Sequence, residues 1–244
     1  MVAIMEGTKS EVIVPLLQKL PLSKRNKVKE ITLDLAGNMS LIAKKCFPNA
    51  VQVIDRFHVQ QLATEALQEI RIKHRWEAIE AENQAIENAK TSKHVYMPEV
   101  LSNGDTLKQL LARSRYLLYK NEDNWTDEQA QRASLLFEKY PDLRKAYDIA
   151  QKLSWIYATS HDKLYAFARL AKWNETVEQS GFKAFNTISR TIINHHKNIL
   201  NYFDNRSTNA SAESFNAKIK AFRAQYRGVG NVNFFLFRLA KLYG

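Results

Sequence analysis

The sequence predicts a small parallel α/β element near its N-terminal end, followed by a chain that is almost entirely helical. Two short segments, residues 28–34 and 51–55, are strand-like and enclose a segment of helix length. From Val59 onward, apolar residues recur at helical spacing and no convincing strand follows. These observations predict a βαβ unit joined to a large all-α region.

The N-terminal segment predicts one more strand and a helix. Residues 2–5 are apolar and are interpreted as the end of a strand near Met5. Residues 12–20 are predicted to be helical, and Pro15 must then lie early in the helix or introduce a kink, because proline lacks a backbone donor.

The segment between the two predicted strands favours a short crossover helix. Asn38 is the predicted N-cap of a helix over residues 40–47. A strand, a helix and a strand pair in parallel through a right-handed crossover, which brings both carboxyl ends to one edge of the sheet. Asp34 and Asp55 end the two strands, so we expect them at that edge, where open α/β sheets usually have their sites.

The rest of the sequence contains several signals for the start of a helix and no internal repeats. Thr126 and Gln129 predict a capping box, and Pro141 predicts a first helical position. Helices are also predicted to start near Asp105 and Ser160, to continue through 180–200, and to cover 208–222 and 233–242; residues 91–104 and 121–125 are predicted loops.

The charge balance favours a polyanionic partner. The chain has 36 Lys and Arg against 25 Asp and Glu, a net charge of +11. Nucleic acid is the first candidate, because phosphates that bind basic residues release counterions. The alternative is a basic protein with a solvated cationic surface.

Composition also excludes several classes of protein and of binding site. A single cysteine, Cys46, excludes an internal disulfide and a multi-cysteine zinc site, and it is predicted to be a buried small hydrophobe. The sequence has no apolar stretch of membrane-spanning length, and its N-terminus lacks the pattern of a secretory signal. We therefore expect a globular cytosolic protein with no membrane partner.

Four motifs occur in an order that resembles the DDE transposases of bacterial insertion sequences, in the ISL-three group. The motifs are LDLAGN, FPNAVQVIDRFHV, RYLLYKNEDNWTDEQ and STNASAESFNAKIKAFRAQYRGVGNVNFFLFRL, and the resemblance covers nearly the whole chain. Two positions depart from the pattern: Trp125 stands where these proteins usually have Leu, and Ser214 where they usually have Gly after a glutamate.

The resemblance implies an α/β RNase H-like core with a large all-α insertion, mostly helical overall. Residues 1–58 would be a partial core with strands ending near Met5, Asp34 and Asp55, residues 59–205 the helical insertion, and residues 206–244 the helices that return to the core. The family's first catalytic aspartate has no counterpart here. We therefore expect an incomplete core with its first strands missing, an N-terminally truncated copy that is inactive alone.

The resemblance also implies a metal-dependent active site. Asp34 matches the second acid and Glu213 the third, and both would bind two Mg²⁺ or Mn²⁺ ions in the full-length enzyme. The reaction would be DNA strand cleavage by water, followed by strand transfer by a DNA 3′-OH. Asp55 and His58 match a DxxH element and would support the site by orienting a ligand or contacting a phosphate.

The implied partners are transposon ends and target DNA, bound by a homo-oligomer in the bacterial cytoplasm at the nucleoid. The candidate DNA-binding residues are Arg56, Asn209, Asn216, Lys218, Lys220, Arg223 and Arg227.

Simpler structural interpretations stay open beside these assignments. Asp34 and Asp55 are also typical caps at strand-to-helix junctions, and the lysines after Glu213 are also typical of a solvated helix face. Five aromatic residues are interpreted as core of the insertion, with a base-stacking platform as the alternative: Trp76, Trp155, Trp173, Phe182 and Phe185.

Two other functions are compatible with the sequence. One is a basic helical fragment that binds nucleic acid, or regulates the enzyme, without catalysis. The other is an RNase H-like nuclease that cuts structured nucleic acid without joining ends.

Overall fold

A computed structural model describes residues 7–225 and 230–243, which are mostly helical with one small sheet. The strand predicted over residues 2–5 and the candidate Arg227 lie outside this described part. The chain forms two compact units. The α/β unit comprises Met1–His58 and His195–Gly244, and the helical unit comprises Val59–Asn194.

Twelve α-helices and two strands occur in the described residues. In chain order they are α1 (Ser10–Gln18), α2 (Leu22–Arg25), β1 (Glu30–Leu33), α3 (Gly37–Cys46), β2 (Val51–Ile54), α4 (Arg56–Thr91), α5 (Leu107–Arg113), α6 (Asp127–Lys139), α7 (Pro141–Thr159), α8 (Lys163–Ser180), α9 (Lys183–Leu200), α10 (Tyr202–Asn205), α11 (Ala210–Gln225) and α12 (Val232–Tyr243), with short 3-10 turns at Leu117–Tyr119 and Glu122–Asn124.

The sheet consists of β1 and β2, which pair in parallel as the sequence predicts. Glu30 lies opposite Val51 and Leu33 lies opposite Ile54, so the strands are in register along their whole length. Helix α3 makes the crossover between them. Within the described residues each strand pairs on one side only, which leaves the other edge of each strand without a ladder.

Helices α1 and α3 pack together in the α/β unit. Ile42, Ala43 and Cys46 of α3 are buried, and Cys46 is a free thiol, as predicted. Arg25 donates from Nη1 to the Cys46 carbonyl at 2.7 Å and from Nε to the Leu20 carbonyl at 3.0 Å, which fixes the C-terminal end of α3. In contrast, α1 has no buried residue and contains Pro15 within the helix.

The predicted N-cap of α3 is wrong. The helix begins at Gly37, and its N-cap is Ala36, two residues earlier in the chain than the predicted N-cap Asn38. The Asp34 carboxylate accepts a hydrogen bond from the Ala36 backbone N at 2.9 Å, and this turn leads the chain into the helix early. Asn38 instead donates its side-chain amide to the Thr8 carbonyl at 3.0 Å.

The helical unit is built around large buried side chains. Trp173 of α8 is 2% exposed and donates its indole N–H to the Ile149 carbonyl of α7 at 2.8 Å. This bond satisfies the only polar group of the Trp173 side chain inside the core. Other large side chains buried in this unit include Leu67, Leu110, Leu111, Leu117, Leu118, Leu136, Tyr147, Tyr157 and Phe185.

Two of the five aromatic residues interpreted as core lie at the surface. Trp173 and Phe185 are buried, as predicted, but Trp76 is 63% exposed and Trp155 is 42% exposed. The periodicity of an amphipathic helix identifies its apolar face only approximately, because an aromatic residue at the edge of that face can point to solvent. The exposed Trp155 is therefore available for contacts outside the core.

A buried carboxylate connects three segments of the helical unit. The Asp105 side chain is fully buried and forms ion pairs with Arg113 and with Arg132, the latter at 3.0 Å. Asn103 donates a further hydrogen bond at 3.0 Å. Burial by itself raises the pKa of Asp105, but the hydrogen bonds from Arg132 and Arg113 outweigh it and hold the pKa below its usual value.

Local helix signals in this unit agree with the structure. Thr126 and Gln129 form the predicted capping box at the start of α6, and Pro141 occupies the first turn of α7. At the start of α5, the Gln109 side chain accepts a hydrogen bond from Thr106 N at 3.0 Å. In the described parts of the chain, no helix combines the length and apolar character needed to cross a membrane.

Candidate functional site

The carboxyl edge of the sheet brings the two predicted aspartates together. Leu33 and Ile54 are the last paired residues of the strands, so Asp34 and Asp55 follow at equivalent positions. The Asp55 backbone N–H donates to the Leu33 carbonyl at 2.9 Å and extends the ladder to this point. The two carboxylates therefore lie at one edge but face different surroundings.

Asp55 is buried and both of its carboxylate oxygens accept backbone hydrogen bonds. Asp55 directly precedes α4 and is 2% exposed. Its Oδ1 accepts a hydrogen bond from Phe57 N at 2.9 Å. Oδ2 accepts from Asn209 N at 2.8 Å. Asp55 thus caps the long helix α4 and also holds the chain just before α11, although 154 residues separate it from Asn209.

Asp34 is half-buried, and one of its two carboxylate oxygens accepts a backbone hydrogen bond. Its Oδ1 accepts from Ala36 N at 2.9 Å. In the described part of the chain, Oδ2 accepts no hydrogen bond and the carboxylate forms no ion pair. A half-exposed carboxylate with an unused oxygen can bind a cation, whereas Asp55 has its oxygens engaged.

Glu213 lies in the first turn of α11. Its backbone N donates to the Asn209 carbonyl at 2.8 Å, and Asn209 N is the group bound by Asp55. The Glu213 side chain is exposed, and among the described residues its carboxylate has no hydrogen-bond or ion-pair partner. The first turn of α11 is therefore anchored to the same sheet edge that carries Asp34.

Helix α11 separates the predicted DNA-binding residues into two sets. Phe215, Ile219 and Phe222 are half-buried or buried and define the apolar face of the helix. At 100° per residue, three of the predicted residues lie within about 80° of Glu213 around the helix axis, and all three are exposed: Asn216, Lys220 and Arg223. Lys218 is exposed as well, but it lies about 140° from Glu213 around the helix axis.

The other predicted residues have simpler surroundings. His58 is half-buried, and its ring contacts Phe57 edge-on with centroids 5.9 Å apart. Within the described residues, no hydrogen bond joins His58 to Asp55. Arg56 is exposed, and Asn209 meets Asp55 through its backbone N rather than its side chain.

The described residues offer oxygen donors of the type that metal ions prefer. Hard divalent cations prefer oxygen ligands, and Asp34 and Glu213 offer carboxylates with unused oxygens. However, no group of three or more His, Cys, Asp or Glu in the described ranges is arranged to hold a metal ion. The chemical type of the donors fits a divalent cation, but the number of donors is too small for a closed site.

Sequence reasoning missed a cluster of aromatic and basic side chains on α7 and α8. Trp155 lies beside Lys152 and Arg169, with Lys152 Nζ 4.0 Å and the Arg169 guanidinium carbon 4.1 Å from the ring centre. The available signal was the spacing of Lys152 and Trp155, three residues apart on one helix face.

Comparison with known proteins identifies the class of protein to which the chain belongs. A family model described as a transposase model, of the DDE type and the ISL-three group, matches residues 1–239. The chain therefore belongs to the DDE transposases of the ISL-three group, as its motifs predict.

Individual relatives agree with this assignment. The chain is 24% identical over 238 residues to the transposase for insertion sequence element IS1001 of Bordetella parapertussis, covering 96% of this chain and 52% of that protein. It is 23% identical over 198 residues to the transposase for insertion sequence element IS1557 of Mycobacterium tuberculosis, covering 79% of this chain and 43% of that protein. The chain thus spans about half the length of these curated relatives. No solved structure gives a significant match.

Proposed function

We propose that the α/β unit is part of the RNase H-like catalytic core of a DDE transposase. In this proposal, Asp34 and Glu213 are metal-binding catalytic residues for DNA strand cleavage and strand transfer. The observation that carries the proposal is the hydrogen bond from Asn209 N to Asp55 at 2.8 Å. It joins the start of the Glu213 helix to the sheet edge of Asp34, and so supports a shared site for two acids that are distant in sequence.

The two aspartates have different roles in this proposal. Among the described residues, Asp34 keeps one oxygen free for a ligand, while Asp55 uses both oxygens to hold Phe57 and Asn209. Asp55 is therefore a positioning residue that sets where α11 begins. Bound Mg²⁺ or Mn²⁺ would activate the attacking hydroxyl and stabilise the leaving oxygen.

The exposed face of α11 is proposed to guide DNA toward this site. Lys220 and Arg223 share the face of Glu213, two and three turns further along the helix, and can contact phosphates. Asn216 lies between them and Glu213 and can donate to the strand. Lys218 projects away from this face, so it contributes only to the general positive field.

We further propose that another carboxylate, outside the described residues, completes the metal site. The support is that Asp34 and Glu213 alone are too few donors for two divalent cations. The chain by itself is then expected to bind Mn²⁺ weakly and to leave DNA uncut. The proposed partners of the complete enzyme are transposon ends and target DNA, bound by a homo-oligomer.

The test combines metal binding and cleavage. Asp34→Asn and Glu213→Gln are each expected to remove the weak Mn²⁺ binding of this chain, measured by calorimetry, while Glu175→Gln on the exposed surface of α8 leaves it unchanged. In an active transposase that contains this chain, the same two substitutions abolish Mg²⁺-dependent cleavage and leave DNA binding nearly intact. Cleavage that survives either substitution would disprove the assignment.

DNA binding without catalysis is a second candidate function. It is favoured by the net charge of +11 together with the incomplete set of metal donors in the described residues. It predicts that Lys220→Ala and Arg223→Ala weaken DNA binding, and that no substitution of Asp34 affects any activity. Strand-transfer products formed with a labelled transposon end would exclude both this function and a nuclease that only cuts.

A further inference from the structure

One cleft on the helical unit is lined by basic and aromatic side chains, unlike three other clefts of the same unit. It lies between α7 and α8, has a volume of about 400 Å³, and is lined by Lys152, Trp155, Tyr165, Arg169, Lys172 and Trp173 among others. This volume falls within the range of ligand pockets, about 300–1,000 Å³. The lining contains three cationic side chains and no carboxylate.

Three other clefts of the same unit all contain carboxylates. Their acidic lining residues are Glu69 and Asp142 in one, Glu82 and Glu99 in another, and Glu122, Asp123 and Asp148 in the third. The third of these clefts shares Trp155 and Lys152 with the basic cleft. An anion is therefore expected on the Arg169 side of Trp155, away from Asp148.

Arg169 is held in place by oxygens and aromatic rings. Its guanidinium donates to Thr159 Oγ1 at 2.6 Å and to the Tyr165 hydroxyl at 2.6 Å. Its guanidinium carbon lies 3.9 Å from the Tyr165 ring centre and 4.1 Å from the Trp155 ring centre. In the described part of the chain none of these contacts neutralises its charge, because Arg169 forms no ion pair there.

Lys152 is a second cation of the cleft. Its Nζ lies 4.0 Å from the Trp155 ring centre, and the side chain is exposed, with no hydrogen bond or ion pair to any described residue. A cation that covers an exposed aromatic ring can be exchanged for another group, because a contact of this kind is weak at an exposed site. Lys172 is also exposed, on the α8 side of the cleft.

We propose that this cleft binds an unpaired nucleotide of a single DNA strand. The base stacks on Trp155 in the place of the Lys152 ammonium, and the flanking phosphates contact Lys152, Arg169 and Lys172. Exposed aromatic rings among unneutralised cations are the pattern by which proteins bind single strands without reading their sequence. The inference rests on the proposed function only in taking DNA as the polyanion.

Binding to this chain is measured by fluorescence anisotropy in EDTA, so that no metal site contributes. The probe is a labelled oligothymidylate of about 15 nucleotides, a length within the usual site sizes of single-strand-binding folds. Trp155→Leu is expected to weaken binding by about tenfold, the effect of losing one stacked base. Trp76→Leu, which changes another exposed tryptophan of the same unit, is the matched control and leaves binding unchanged.

A second probe and a second pair of variants separate stacking from charge. An abasic strand of the same length is expected to bind the wild-type chain about as weakly as oligothymidylate binds Trp155→Leu. Lys152→Ala and Lys172→Ala each reduce the slope of log K against log salt by roughly 0.7, the value for one phosphate contact on a single strand. Lys139→Ala, at the end of α6, leaves the slope unchanged.

The inference fails if the wild-type chain does not bind oligothymidylate, if Trp155→Leu binds like wild type, or if abasic and thymidylate strands bind equally. Circular dichroism of Trp155→Leu must match wild type, and the lysine variants test the cleft independently of that substitution. These outcomes are separate from those of the proposed function, since Asp34→Asn affects cleavage without changing binding in EDTA.

Discussion

The two units of the chain differ in how they are held together. The helical unit buries large aromatic side chains such as Trp173 and neutralises its buried Asp105 with two arginines. The α/β unit has two strands of four residues, and its first helix has no buried residue. The helical unit has more buried side chains, which indicates that most of the stability resides there, while the proposed chemistry resides in the α/β unit.

The strongest test of this comparison is a substitution in the core of the helical unit. Trp173→Ala is expected to lower the free energy of unfolding by about 3–5 kcal/mol, because it leaves a large cavity. It also removes the donor to the Ile149 carbonyl. Chemical denaturation followed by far-ultraviolet circular dichroism measures this loss. A change below about 1 kcal/mol would contradict a tightly packed helical core.

The buried carboxylate gives the next largest effect. Asp105→Asn is expected to cost about 2–3 kcal/mol at neutral pH, because it weakens charge-assisted hydrogen bonds with Arg113 and Arg132. The folded pKa of Asp105 lies below its usual value, so its contribution is complete above about pH 4 and is lost as pH falls through the folded pKa.

Unfolding of wild type and variant at several pH values checks this dependence. The difference between them should shrink on acidification below about pH 4. Asp148→Asn, which changes an exposed acid of α7, serves as control and should produce a small difference at every pH. A difference that stays constant down to the acid transition would show that the charge of Asp105 has no role.

The two aspartates at the sheet edge are expected to differ in their contribution to the stability of the α/β unit. Asp55→Ala is expected to cost about 1–2 kcal/mol, because Phe57 N and Asn209 N lose their acceptor. Hydrogen exchange at Asn209 and through the first turn of α11 should then accelerate. Asp34→Asn retains an acceptor for Ala36 N and should change stability by less than about 0.5 kcal/mol. Equal losses for both variants would remove the distinction between a positioning residue and a ligand.

The smallest of the expected losses of stability from removing a hydrogen-bond acceptor concerns a helix cap. Thr126→Ala should destabilise the helical unit by about 1 kcal/mol, since it removes the acceptor for Gln129 N. Thermal unfolding measures it, and Thr126→Ser, which keeps the hydroxyl, is the matched control. If both variants lose the same stability, the methyl group of Thr126 and not its cap is responsible.

Local signals in the sequence predicted a large part of the fold. The two strands, their parallel pairing and the capping box at Thr126 follow from alternation, spacing and cap chemistry within short segments. The start of α3 was mispredicted because two side chains, Asp34 and Asn38, could each begin the helix. The Asp34 carboxylate accepts a hydrogen bond from Ala36 N, and this bond decides between the two starts. It is visible only in the folded backbone.

Contacts between distant segments could not be predicted in this way. The bond between Asp55 and Asn209 has no local signature, since the backbone N of any residue type other than proline could make it. Likewise, helical spacing could not tell that Trp155 faces solvent while Trp173 faces the core. The resemblance to transposases supplied the pairing of Asp34 with Glu213, which periodicity alone would not have suggested.

The hydrogen bond between Asp55 and Asn209 makes the helical unit topologically a loop of the α/β unit. If the intervening chain were flexible, closing it would cost only roughly 2 kcal/mol more than closing a loop one-tenth as long, because loop entropy grows with the logarithm of length. The sheet edge therefore tolerates wide variation in the length of what is inserted there. Members of this family could exchange or resize the inserted helices and still return the chain to the same carboxylate.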